Sequence, residues 1–115
     1  MITDKPNILI VCGRNKRRSR TAEYIFKNDS RFNIRSAGLN EKSEGLLSEK
    51  DVVWSDLILA MEDKQKARIR ELYRDLNLPL IEVLDINDDY KYRDQELIEL
   101  LEEKVNGVLM SLFKI

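Results

Sequence analysis

The chain alternates between short apolar runs and longer segments whose hydrophobic residues recur at helical spacing. The run Ile8-Leu9-Ile10-Val11 is β-branched and apolar, which is typical of a strand buried on both faces of a sheet. Three more segments predict strands by alternation or by apolar content. The four predicted strands cover residues 7–11, 32–36, 56–61 and 80–84.

Helices are predicted between these strands and after the last of them. The predicted ranges are 18–27, a short helix that starts at Ser48, 62–74 and 93–113. Ser48 can cap the free amides of the short helix, and Asp51 favours its first turn. The inner face of the third helix is predicted to carry Ala67, Ile69, Leu72 and Tyr73. The apolar stripe of the last helix is predicted to be Leu97, Leu101, Val105, Val108 and Leu112.

Strands that are separated by helices imply right-handed crossovers and a parallel sheet covered on both faces. We therefore expect an α/β fold, with a four-stranded parallel sheet in one doubly wound domain over residues 1–115. This length is ordinary for a single domain.

The amino-acid composition says little more about the fold, but it excludes several kinds of catalytic and metal site. The chain has 115 residues, a single cysteine and no histidine. Without histidine there is no Ser-His-Asp or Cys-His pair and no imidazole ligand for zinc, and one cysteine cannot form an intramolecular disulfide. A free thiol favours a reducing compartment, and the polar start and short apolar runs do not resemble a signal peptide or a membrane span. We expect a cytoplasmic protein with no membrane partner.

The charges are nearly balanced in number but not in position. Lys+Arg total 20 and Asp+Glu total 21, which gives a net charge of −1. Five bases and no acid lie in residues 14–20, whereas residues 82–103 hold nine acids and two bases. A concentrated basic segment predicts an anionic partner. A nucleic-acid partner is not favoured, because the chain is not basic overall and no aromatic residues interleave the bases.

The basic segment follows the first strand and has the spacing Cys12-x5-Arg18. A tight turn at the carboxyl end of a parallel strand directs backbone N–H groups inward, and the next helix adds its positive end, so a tetrahedral anion can be held. The predicted phosphate-binding loop comprises Gly13, Arg14, Asn15, Lys16, Arg17, Arg18 and Ser19.

Two residues at the ends of this loop carry the predicted chemistry. Arg18 can grip two phosphate oxygens with its planar guanidinium. The same positive field favours the thiolate of Cys12, which can attack phosphorus, and the Ser19 hydroxyl can donate to the sulfur. In the plainer interpretation, Cys12 is a small buried hydrophobe and the bases form a solvated turn. A Walker-type nucleotide loop is excluded, because Gly13 is not followed by Gly-Lys-Ser/Thr.

These motifs resemble the low-molecular-weight protein tyrosine phosphatase family, and in particular a small bacterial subgroup of predicted tyrosine phosphatases. The resemblance rests on the loop from Val11 to Ser19 followed by Ala22-Glu23, and it continues in the same order through most of the chain. The further matching segments are Ser36-Ala37-Gly38, the strand at residues 56–61, and Ile86-Asn87-Asp88-Asp89-Tyr90.

The resemblance implies a role for each matching residue. Cys12 would be the nucleophile, Arg18 the phosphate clamp, and Ser19 a support for the thiolate. Asn15 would hold the loop backbone. Asp88 would protonate the leaving oxygen and later activate water.

The segment from Ile86 to Tyr90 contains more than one candidate for the acid. Asp85 and Asp89 are alternatives to Asp88, since this stretch could also be a plain turn. Tyr90 would form part of the substrate cleft.

The implied function is a metal-independent and cofactor-free phosphomonoesterase that acts through a phosphocysteine intermediate. Its expected ligands are a phosphotyrosine protein or small aryl phosphate, and inorganic phosphate or sulfate in the loop. The chain departs from the family pattern in its bulky basic loop residues, in Asp89 where the family has proline, and in a short segment after Gly38. An oxyanion- or phosphoprotein-binding module with little turnover is therefore an alternative. An arsenate reductase is less favoured, because it needs two further cysteines.

Overall fold

A computed structural model describes residues 5–14 and 16–115 of the chain. Helices and strands alternate along the sequence. The strands are β1 (Asn7–Cys12), β2 (Asn33–Gly38), β3 (Leu57–Ala60) and β4 (Leu80–Val83). The helices are α1 (Arg18–Phe26), α2 (Glu49–Trp54), α3 (Asp63–Leu72) and α4 (Gln95–Phe113).

The four strands form one parallel sheet in the order β2-β1-β3-β4. The predicted α/β fold, with its doubly wound four-stranded parallel sheet, is confirmed. From β1 the chain first crosses to β2 on one side and then returns to β3 on the other. The strand order therefore reverses between β1 and β3, and in open α/β sheets this position forms a crevice at the carboxyl ends of the strands.

Two apolar clusters cover the two faces of the sheet. Ile8, Ile10 and Cys12 of β1 belong to the cluster that includes α1 and α4. Leu9 and Val11 belong to the cluster that includes α2 and α3. Successive β1 side chains are buried on opposite faces, which explains why this strand has no polar side chain between residues 8 and 11.

The start of α2 has the predicted cap. The Ser48 side chain accepts a hydrogen bond from the Asp51 amide, and the Asp51 carboxylate accepts one from the Ser48 amide. This reciprocal arrangement satisfies amides that the first helical turn leaves without partners. No helix among the described residues is long and apolar enough to cross a membrane.

The predicted inner face of α3 is partly wrong. Ala67 is exposed, because residues two positions apart on a helix lie on nearly opposite sides and Ile69 occupies the buried side. Leu72 ends the helix and is also exposed, whereas Tyr73 is half-buried. Gln65, which the hydrophobic pattern did not select, is buried at the start of this face.

The predicted stripe of α4 is wrong only at its end. Leu97, Leu101 and Val105 are buried, and Val108 is partly buried against the same cluster, but the fully buried residue near the end of the helix is Leu109 instead of Leu112. Leu112 lies beside Val83 and Leu84 in a shallow groove at β4. Because β4 is the edge strand, no further strand covers this side and Leu112 stays 39% exposed.

This correction predicts that two leucines of α4 differ in their contribution to stability. Leu109→Ala should lower the free energy of unfolding by about 2–5 kcal/mol, because it leaves a cavity in a fully buried position. The matched variant Leu112→Ala should lower it by less than about 1 kcal/mol. Urea denaturation of both variants measures the difference. Equal losses would contradict the observed face of the helix.

Candidate active site

A cavity of about 470 Å³ opens at the carboxyl ends of β1 and β3, where the strand order reverses. It therefore lies where ligands are expected in an open parallel sheet. Basic side chains, two carboxylates and one thiol line it. The lining residues are Cys12, Gly13, Arg14, Lys16, Arg17, Arg18, Asn40, Glu62, Lys64, Gln65 and Asp88.

Cys12 is the last residue of β1 and lines the cavity. Its sulfur lies 3.0 Å from the Ser19 hydroxyl oxygen. Both residues are almost fully buried, with exposures of 3% and 0%. The strand fixes Cys12, and the first turn of α1 fixes Ser19, so the hydroxyl is held within hydrogen-bond distance of the sulfur.

Arg18 begins α1 and is only 4% exposed. Its terminal nitrogen Nη1 donates hydrogen bonds to Glu62 Oε1 at 2.8 Å and to the Ile86 carbonyl at 2.7 Å. The Nε atom is buried and makes no hydrogen bond with the described residues, although Asp88 Oδ1 lies 3.5 Å away. This Nε–H is thus a buried donor beside the cavity, which suits an anion that could accept from it.

Asp88 is the carboxylate that the segment after β4 brings to the cavity. Its side chain is 67% exposed. The alternatives Asp85 and Asp89 are exposed and do not line the cavity. Asp85 has a left-handed backbone (φ 58°), and Asp89 donates its amide to the Asn87 side chain. Of the three predicted candidates for the acid, the fold therefore brings Asp88 to Arg18.

The rest of the predicted phosphate-binding loop borders the same cavity. Arg14, Lys16 and Arg17 are exposed, and Gly13 is half-buried. Asn15 lies outside the described residues. Among the residues that the structure describes, no ion pair includes Arg14, Lys16 or Arg17, so their charges are not neutralised by a neighbouring carboxylate.

The segment after β2 is attached to this loop by backbone hydrogen bonds. The Asn40 amide donates to the Gly13 carbonyl at 2.7 Å, and the Glu44 amide donates to the Arg14 carbonyl at 3.3 Å. The Gly38 amide in turn donates to the Gly45 carbonyl. These contacts hold the segment against the loop, and its residue Asn40 lines the cavity.

Tyr90 is not among the residues that line the cavity. Its ring is partly buried and packs against the cluster that includes α1 and α4. A hydrogen bond to the Glu96 carboxylate raises the pKa of the Tyr90 hydroxyl, with a smaller contribution from burial. The structure therefore does not bring Tyr90 together with Cys12, Arg18 and Asp88.

The sequence pattern predicts Glu62 only as the first residue of a helix and does not indicate a role for it in the site. Glu62 lies two residues after the end of β3, and its carboxylate binds the buried guanidinium of Arg18. Gln65 holds this region in place, because its side-chain oxygen accepts from the Met61 and Glu62 amides at 2.9 and 3.1 Å. The sequence did offer one signal for Glu62: it is a carboxylate near the carboxyl end of a predicted strand, where sites in parallel sheets are expected.

No group of three or more histidine, cysteine, aspartate or glutamate residues in ranges 5–14 and 16–115 could hold a metal ion. The positive charge at the cavity comes from arginine and lysine side chains.

The fold and the position of the loop define a class: the chain has the fold of the low-molecular-weight protein tyrosine phosphatases. It is similar to the low-molecular-weight protein tyrosine phosphatase SP-PTP from Streptococcus pyogenes, with a TM-score of 0.78, 16% identity and coverage of 94% of this chain and 93% of that one. No protein-family model and no curated protein sequence matches the chain.

Two further solved structures have this fold. Vibrio vulnificus Wzb in complex with benzylphosphonate gives a TM-score of 0.75 at 17% identity, over 95% of this chain and 100% of that one. The YwlE arginine phosphatase from Geobacillus stearothermophilus gives 0.67 at 22% identity, over 93% and 97%. At these identities the similarity establishes the fold, and it confirms at that level the resemblance seen in the sequence.

The contact between Arg18 and Glu62 predicts a stability effect for a residue that the sequence did not select. Glu62→Gln removes the charge that faces a buried guanidinium and should lower the free energy of unfolding by about 1–3 kcal/mol. Glu71→Gln on the same helix alters an exposed ion pair and should change it by less than about 0.5 kcal/mol. Chemical denaturation at neutral pH compares the two variants. Similar small effects would show that Glu62 does not stabilise Arg18.

Proposed function

We propose that the protein is a cysteine-dependent phosphatase that hydrolyses phosphate monoesters through a phosphocysteine intermediate. The observation that carries the proposal is the placement of the Cys12 sulfur in a basic cavity, 3.0 Å from the Ser19 hydroxyl and beside the buried guanidinium of Arg18. A thiolate, a fixed cation and a nearby carboxylate are the groups that this reaction needs. The shared fold with known phosphatases is consistent with it.

In the first step, the Cys12 thiolate attacks phosphorus, so that a sulfur–phosphorus bond forms as the bond to the leaving oxygen breaks. The Ser19 hydroxyl stabilises the thiolate before attack and after its release. The Nε–H of Arg18 is the buried donor available to the phosphoryl oxygens, whose charge it offsets. Because Glu62 and the Ile86 carbonyl already hold the guanidinium, its orientation is set before substrate binds.

Asp88 is the proposed proton carrier. As the acid it gives its proton to the leaving oxygen, and as the resulting carboxylate it takes a proton from the water that attacks the phosphocysteine. The second step breaks the sulfur–phosphorus bond, restores the thiolate and releases inorganic phosphate. The exposure of Asp88 at the rim of the cavity is compatible with contact to both a leaving group and water.

The mechanism predicts that substitutions of Cys12 and Asp88 lower the rate of p-nitrophenyl phosphate hydrolysis by different amounts. Cys12→Ser should abolish turnover, and Asp88→Asn should lower kcat by about 10²–10⁴-fold, the usual contribution of general acid–base catalysis. Asp85→Asn and Asp89→Asn are matched controls and should keep kcat within about threefold of the parent. In the parent, rapid acid quench followed by mass spectrometry should find one phosphoryl group on the peptide that contains Cys12.

Three outcomes of this assay would count against the proposal. Full turnover in Cys12→Ser would exclude Cys12 as the nucleophile. A large loss in Asp89→Asn or Asp85→Asn with none in Asp88→Asn would move the acid to that neighbour. Negligible turnover in both the parent and Asp88→Asn, combined with phosphate binding, would favour the oxyanion- or phosphoprotein-binding module.

A phosphorylated arginine side chain is a second candidate substrate. Among the described residues that line the cavity there is no aromatic side chain with which a phosphotyrosine ring could stack. Two carboxylates, Glu62 and Asp88, do line it, and carboxylates accept hydrogen bonds from guanidinium groups. One of the similar structures is an arginine phosphatase.

Matched peptides separate the two substrate classes. With one peptide sequence carrying either phosphotyrosine or phosphoarginine, the arginine candidate predicts at least a tenfold higher kcat/KM for phosphoarginine, and the tyrosine candidate predicts the reverse. Phosphate release measures both reactions, and the corresponding phosphoserine peptide is the control. Equal rates for all three peptides would indicate that the cavity selects only the phosphoryl group.

A further inference from the structure

We propose that a second basic pocket, beside the phosphate-binding loop, binds another anionic group of the same substrate. This proposal rests on the proposed phosphatase function and specifies its substrate class. The pocket has a volume of about 470 Å³ and is lined by Lys16, Arg17, Arg20, Glu44, Lys91 and Tyr92. We refer to it as the side pocket.

The side pocket has an excess of positive charge. Of the six described residues that line it, four are cations and one, Glu44, is an acid, which pairs with Arg20 at 3.3 Å. Among the described residues, Lys16, Arg17 and Lys91 take part in no ion pair. Crowded cations repel one another, so an anion that binds among them relieves this repulsion as well as making new contacts.

The side pocket adjoins the candidate active site. Lys16 and Arg17 line both cavities, so these two residues form the partition between them. A group bound in the side pocket would thus lie on the other side of the same loop from the scissile phosphate. Such a geometry suits two anionic groups on one molecule more than two independent ligands, because the second contact then occurs at high effective concentration.

Both walls of the side pocket are attached to the body of the protein. On one side, the Glu44 amide donates to the Arg14 carbonyl of the loop. On the other side, the amide of Arg93, which follows Tyr92, donates to the Thr21 hydroxyl of α1 at 2.9 Å. The Tyr92 ring lies edge-on to Tyr24, with 6.5 Å between ring centroids. Walls that are fixed before binding lose little conformational freedom when a ligand arrives.

The chemistry of the lining specifies the ligand. Lysine and arginine bind carboxylate and phosphate oxygens, and an exposed site of this kind gives a modest gain per contact. We therefore infer a phosphorylated peptide with a further carboxylate or phosphate next to the scissile group. A substrate with neutral flanks would use only the candidate active site.

The test compares phosphotyrosine peptides that differ only in the flanking positions: neutral, aspartate-containing, or with a second phosphate. The parent should prefer the anionic peptides over the neutral one by about five- to tenfold in kcat/KM. In the double variant Arg20→Gln/Lys91→Gln this preference should fall to about twofold or less, with hydrolysis of p-nitrophenyl phosphate unchanged. Glu44→Gln, which removes the acid among the described lining residues, should increase the preference. Lys50→Gln, at an exposed position on α2, is the matched control and should leave it unaltered.

The outcomes separate this inference from the proposed function. If p-nitrophenyl phosphate is hydrolysed but the parent does not distinguish the peptides, or if the double variant keeps the full preference, the side pocket is not a substrate site. If nothing is hydrolysed, the phosphatase proposal fails. The side pocket is then tested by binding: the affinity of Cys12→Ser for the three peptides is compared with that of the triple variant Cys12→Ser/Arg20→Gln/Lys91→Gln. Preference for the aspartate peptide or for the doubly phosphorylated one identifies the anion that binds.

Discussion

The candidate site depends on the way in which one buried cation is held. Arg18 comes from the start of α1, yet its guanidinium binds the Glu62 carboxylate after β3 and the Ile86 carbonyl after β4. One side chain thus connects segments that follow three different strands. A guanidinium at 4% exposure is costly to bury unless its donors are satisfied, so these contacts fix both the side chain and the segments that hold it. The cavity has its shape because this cation must have these partners.

The same arrangement explains how a chain without histidine could carry out both proton transfer and nucleophilic attack. The proposed nucleophile Cys12 is placed by β1, the Ser19 hydroxyl by α1, and the Asp88 carboxylate by the segment after β4. Each group therefore has a separate structural support, and none of them needs an imidazole. Among the described residues, the buried Nε–H of Arg18 makes no hydrogen bond, and the Asp88 carboxylate lies 3.5 Å from it.

Local signals in the sequence predicted the strands, the Ser48 cap and the residues of the loop, because each depends on neighbours along the chain. The stripe of α4 was predicted correctly as far as Val108 but wrongly at Leu112, because the exposure of Leu112 depends on β4 being an edge strand. Glu62 was missed for a similar reason: its partner lies 44 positions away, and only the strand order brings the two together. For Tyr90 the local motif predicted a residue of the substrate cleft, but the ring packs against the core.

Arg18 and Arg20 are two residues apart on α1 and have opposite surroundings. Arg18 is buried and held by groups of the protein, so in the proposed reaction it would present the same donor to any phosphoryl group. The side chain of Arg20 is 43% exposed, and its one ion pair among the described residues is with an exposed carboxylate, so a ligand can compete for it at little cost. The two proposals therefore give recognition of the phosphoryl group and discrimination between substrates to different cations. The bulky bases of the loop, which depart from the family pattern, lie where the two tasks meet, because Lys16 and Arg17 border both cavities.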